Sequence, residues 1–176
     1  MLKERAKQER WAGKLILDAG DVFTTGTRRQ GKTRDVELAT ARFIVDQFNA
    51  SGVAAIAIGD RDLSLGLKTL ASLRRRAKFP FLSANLVDPT SKKLLFEDRR
   101  VIVVAGVKFG IFGVLSKSVS RGPAAARQFL ILDPVPAARE QVKALRRQGA
   151  DVIVALTHLR DTEQQALAKA VPDQVI

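Results

Sequence analysis

The sequence predicts an α/β fold built on a mainly parallel sheet, or sheets, flanked by helices, with one antiparallel hairpin. Two observations predict the parallel part. Short apolar runs alternate with segments of helical period, and four of the runs stop on polar residues: LILDAGD at 15–21, AAIAIGDRD at 54–62, FPFLSANL at 79–86 and VIVALTHL at 152–159. A third observation predicts the hairpin, since the β-rich runs 101–104 and 107–114 are joined at Gly106. Parallel strands in α/β proteins present ligands at their carboxyl ends. The four polar ends therefore bring Asp21, Asp60, Asn85 and His158 together.

Each element has its own signal. Residues 2–11 mix both charges with good helix formers and read as the last turns of a helix, ended by Gly13. A strand at 15–17 leads into a loop at 22–32 rich in Thr, Gly and Arg. Residues 35–49 carry Val36, Ala39, Phe43, Ile44 and Phe48 near helical spacing, and Ser51-Gly52 stops them. A second strand at 54–58 precedes a helix at 65–77, whose Arg74, Arg75 and Arg76 complement the macrodipole at its carboxyl end. Pro80 opens a third strand that runs to Ala84, and 88–93 reads as a turn. After the hairpin comes a loop at 116–126, a short apolar run at 129–132 and the Asp133-Pro134 turn. A helix at 136–148, with Ala138, Val142 and Leu145 on one face, feeds the strand 152–156. A helix at 161–170 and the start of a strand at Val175 complete the chain.

With 176 residues, 46% of them hydrophobic, the chain is long enough to bury a core as a single domain. The 30 Lys and Arg outnumber 18 Asp and Glu, giving +12 and pointing to an anionic partner. Cysteine is absent, which excludes disulfides and thiolate metal sites. No apolar stretch is long enough to span a bilayer, and the charged opening residues carry no export signal. Nucleic acid is not the expected anion: there is one Trp, no Tyr and no recognition motif. A Walker-type loop and a Gly-x-Ser-x-Gly elbow are also missing. Among the basic groups, Arg28, Arg29, Lys32 and Arg34 follow Asp21 directly and are best placed to draw in an anionic substrate.

Six segments, in order, carry a resemblance: LILDAGDVFTTGT, AAIAIGDRDLSLG, FPFLSANLVD, GVKFGIFGV, DPVPAAREQVKALRRQGADVIVALTHL and AVPDQVI. Together they resemble the calcineurin-like metallophosphoesterase domain of the 5'-nucleotidase family. The resemblance implies a layered metallophosphoesterase-like α/β fold and hydrolysis of nucleotides or other phosphomonoesters by metal-activated water. It implies that Asp21 matches a bridging metal ligand and that Asp60 stands where the family has the Asn of Gly-Asn-His-Glu. His158 matches a histidine ligand of the same ion, and Asn85 a residue near the substrate phosphate. Arg61 replaces the family's histidine, which contacts the phosphate or assists the leaving group. An arginine can clamp phosphate, but with a pKa above about 12 it is a poor proton donor.

The family's opening Asp-x-His is expected before Met1 and its closing Gly-His-x-His after Ile176. The chain is therefore expected to be one domain, residues 1–176, incomplete at both ends. Relatives of this kind hold two divalent ions such as Zn or Mn, whereas this chain alone is expected to hold at most one. The expected partner is a phosphorylated small molecule. Activity of the chain by itself stays open, as does a non-catalytic alternative that keeps the fold and binds an anion or a partner through its basic surface.

Plainer roles stand beside these. A lone histidine after an apolar strand is commonly a hydrogen-bonded structural residue, and Asp beside Gly commonly caps a turn. Asp18 is expected to do the latter. Asp60, Arg61 and Asp62 could form an exposed ion-pair cluster, and Asn85 could be a turn or strand-end residue.

Overall fold

The computed structural model describes residues 12–24, 34–119 and 128–171. The expectations for residues 2–11, for Val175 and for Arg28, Arg29 and Lys32 lie outside them, as do parts of both long loops.

Among the described residues, eight strands and five helices alternate. In chain order they are β1 (Leu17–Asp18), α1 (Arg34–Ser51), β2 (Ala55–Ala57), the single turn α2 (Asp60–Leu63), α3 (Leu67–Arg76), β3 (Phe81–Leu82) and β4 (Leu86–Val87). The hairpin β5 (Arg99–Val104) and β6 (Val107–Leu115) follows, and then β7 (Leu130–Ile131), α4 (Pro134–Arg147), β8 (Val152–His158) and α5 (Asp161–Ala170).

The strands form three sheets instead of one. β1, β2 and β3 pair in parallel in that order, β4 and β7 form a short antiparallel pair, and β6 lies between antiparallel β5 and parallel β8. The expected hairpin is present, with Val104 opposite Val107. Its tight turn places Ala105 and Gly106 at φ 49° and 84°. The segment FPFLSANL, read as one strand, divides into β3 and β4 in different sheets. Ala84 leaves the first sheet by donating its N–H to Gly113 O in β6.

The layers follow from side-chain alternation. In β2, Ile56 faces α1 and α3 with Leu70, Leu73 and Phe81, whereas Ala55 and Ala57 face the other way onto Leu82, Ile111 and Leu156. In β6, Phe112 and Val114 pack with Ala138, Val142 and Leu145 of α4. Two sheets thus lie face to face between outer helices. Their closest approach is at Gly113, where an added Cβ would sit 2.6 Å from Leu82 O.

The inner stripe of α1 is Ala41, Ile44, Val45 and Phe48, spaced three and four apart, while Val36 and Phe43 face outward at 46% and 61% exposure. Helix α4 starts two residues earlier than expected. Asp133 Oδ1 accepts the Val135 N–H, and Pro134 fits a first-turn position where no N–H is needed.

Candidate metal centre

The site forms where the carboxyl ends of the two large sheets meet. Asp21 lies just beyond β1, Asp60 opens α2 after β2, and His158 ends β8. Their ligand atoms lie within 4.8 Å of one another. Sequence reasoning placed all four polar ends at one sheet edge; the structure gathers three of them at a junction between sheets, and Asn85 lies elsewhere.

The loop after β1 is shaped by its own backbone and by one distant carboxylate. Asp18 Oδ1 accepts the Gly20 N–H at 2.8 Å, the turn-capping role expected of it. Gly20 and Asp21 both take positive φ, 104° and 62°. Asp tolerates this region better than most side chains. Gly59 lies directly against the loop. A Cβ on Gly59 would collide with the Asp21 carboxylate and come within 2.5 Å of Asp21 N. Gly59→Ala is therefore expected to lower stability by about 1–3 kcal/mol, read from the shift of a urea unfolding midpoint, because the loop must move aside.

Asp62 holds this arrangement together. Its side chain is fully buried, with Oδ2 accepting the N–H groups of Asp21 (2.8 Å) and Gly59 (3.0 Å) and Oδ1 accepting that of Phe23 (3.0 Å). This overturns the exposed ion-pair expectation for Asp62. Burial pushes its carboxyl above the ordinary 3.8, against the pull of the three N–H donors.

Three residues surround the Asp21 carboxylate. Oδ1 accepts the Arg61 N–H at 2.8 Å, and Oδ2 lies 3.2 Å from His158 Nε2 and 3.4 Å from Arg61 Nε. The same His158 nitrogen is 2.8 Å from Asp60 Oδ1. Burial raises the Asp21 carboxyl above 3.8; the Arg61 N–H and His158 pull it down, and Asp60 pushes it further up.

The donor set fits a divalent cation. One ring nitrogen carries at most one hydrogen, so it cannot serve both carboxylates at once, whereas a cation among the three would satisfy all of them. Spacings of 2.8 and 3.2 Å are those expected of adjacent ligands around an ion with bonds of about 2.1 Å. Two oxygens and an imidazole suit Zn, Mn or Fe and leave the choice among them open.

Asn85 is fully buried between β4, β6 and β7. Its Nδ2 donates to Leu115 O (2.7 Å) and Leu132 O (3.0 Å), and its Oδ1 accepts the Leu115 N–H (2.9 Å). Both amide hydrogens are engaged, so none is left to reach a phosphate. Leu115 is the register partner of His158, which links Asn85 to the site through the backbone.

No family model matches the chain. Over 158 residues it is 27% identical to the 5'-nucleotidase of Vibrio cholerae, a match that covers 88% of this chain and 28% of the relative. The crystal structure of a 5'-nucleotidase precursor from Thermus thermophilus superposes with a TM-score of 0.75 at 29% identity, covering 95% of this chain and 32% of that one. The chain is related to the 5'-nucleotidases. A calcineurin-like phosphoesterase from Bacillus subtilis, YfkN, shares the fold at 22% identity and a TM-score of 0.71. The chain spans roughly a quarter to a third of the length of the 5'-nucleotidases it matches, and the resemblance seen in its motifs extends over most of its own length.

Proposed function

We propose that this 5'-nucleotidase relative is a metal-dependent phosphoester hydrolase acting on nucleotides or other small phosphomonoesters. The observation that carries the reading is the convergence of Asp21, Asp60 and His158 from three separate strand ends onto one cluster of donor atoms. These three residues would hold the ion, which supplies Lewis-acid polarisation of a phosphoryl oxygen and activation of water.

The chain's own residues divide the remaining work. Asp62 fixes the Asp21 loop, and the Arg61 N–H orients the Asp21 carboxylate. Arg61 offers a guanidinium that is 57% exposed and suited to bind a phosphate through paired N–H groups. It stays protonated, so it orients and neutralises without transferring a proton. Asn85 enters as a positioning residue behind His158.

The test is a Mn2+ titration with p-nitrophenyl phosphate hydrolysis, on the chain and on His158→Ala. The variant is expected to bind Mn2+ at least about 100-fold more weakly, since removing even a supporting group typically costs about 10–100-fold, and its turnover should fall in step. Equal Mn2+ affinity and turnover in the two proteins would end this reading. Absence of both, with anion binding that weakens steeply in salt, would favour the non-catalytic alternative.

A further inference from the structure

We infer that Arg61 takes the place of a second metal ion, so that one divalent cation and one fixed guanidinium make up the positive charge of the site. The inference rests on the metal-dependent reading above and concerns what stands on the other side of Asp21.

The first observation is the occupancy of the Asp21 carboxylate. An ionised carboxylate has roughly four acceptor positions on its two oxygens. Arg61 engages both oxygens, Oδ1 through its main-chain N–H at 2.8 Å and Oδ2 through Nε at 3.4 Å. His158 and Asp60 lie toward Oδ2, and they are the two residues able to share a cation with it. A carboxylate can bridge two ions only if it has lone pairs free for both, and a single residue draws on both oxygens here.

Charge gives a second, independent reason. Asp21 and Asp60 contribute two negative charges and Arg61 one positive, a sum of −1 for the groups in contact. One divalent ion turns this to +1, ready for an anionic phosphate. Two would leave +3 packed around a half-buried carboxylate, which is expensive where charges are poorly solvated.

The third reason is shape. Arg61 sits in the first turn of α2, with its backbone held by Asp21 and its side chain 57% exposed, so the guanidinium stays beside Asp21 while remaining open to solvent. A phosphate arriving at Asp21 would meet a planar set of donors where a second ion would otherwise stand. Arginine holds that geometry at every accessible pH.

Titration calorimetry on the 176-residue chain, on Arg61→Ala and on Arg61→Lys tests this, first with Mn2+ alone and then with inorganic phosphate added to the Mn2+-loaded protein. The wild type is expected to take one Mn2+ per chain. Arg61→Ala should bind that ion as tightly or up to about tenfold more tightly, because a neighbouring cation is gone, while phosphate binding weakens at least about tenfold. Arg61→Lys, which keeps the charge without the fork, should retain one ion and recover part of the phosphate affinity. Two Mn2+ per wild-type chain, or unchanged phosphate affinity in Arg61→Ala, would overturn the inference while leaving the metal site standing. No Mn2+ uptake by any of the three proteins would overturn both.

Discussion

Replacing Asp62 by alanine is expected to lower the stability of the chain by about 3–5 kcal/mol, a large share of the roughly 5–15 kcal/mol typical of a domain. The side chain accepts three main-chain N–H groups, those of Asp21, Phe23 and Gly59, in a position closed to water. Alanine leaves all three donors without an acceptor. Asp62→Asn should fall between the two, since its NH2 group must face either the Phe23 N–H or those of Asp21 and Gly59. Urea unfolding of the three proteins checks the order, and a loss in Asp62→Ala no larger than that of an exposed Asp→Ala change would refute it. The raised pKa of Asp62 adds a dependence on pH. The folded state holds the proton more tightly than the unfolded chain. This one group therefore lowers the unfolding free energy as pH rises from 3.8 through its folded pKa. The hydrogen bonds and the charge of Asp62 thus act in opposite directions, and only the former are lost selectively on going to asparagine.

The second large effect belongs to Asn85. Asn85→Leu keeps most of the volume but removes three hydrogen bonds, leaving the Leu115 N–H and O and the Leu132 O without this partner. A loss of about 2–4 kcal/mol is expected. Weaker Mn2+ binding should accompany it, because Leu115 pairs with His158 and Ser116 donates its N–H to His158 O at 2.8 Å. Equilibrium unfolding and Mn2+ titration separate the two effects. A variant that binds Mn2+ like the wild type under conditions where it is fully folded would show that the pin does not reach the site.

What the sequence discloses and what it conceals divide along sequence distance. The hairpin is legible because its two strands and its Gly106 turn are adjacent in the chain. Asp21, Asp60 and His158 are legible because each ends an apolar run, and the structure does bring them together. Asp62 escapes notice for a physical reason: next to Arg61 it looks like half of a solvated ion pair, yet its partners Asp21 and Phe23 lie some 40 residues earlier and draw it inward. Only its position at the third residue of α2, closing back on the Gly59 N–H, offers a local sign of that role. Asn85 is similar, with partners 30 and 47 residues away. Periodicity also cannot assign a strand to a sheet. The division of FPFLSANL between β3 and β4 depends on Gly113, which alone lets the sheets approach closely enough for Ala84 to bond to β6.

The junction between the two sheets also sets an order in time. Asp21 and Asp60 are joined by the parallel pairing of β1 and β2, but His158 arrives only when β8 has docked on β6, closing a loop of about 40 residues that contains α4. Parallel pairings across such separations form late in folding because their entropy must be surrendered before their contacts exist. The third ligand is thus the last to reach the cluster. A chain caught midway has two carboxylates facing each other and no imidazole between them, and an ion that favours the complete set would draw the final strand into place.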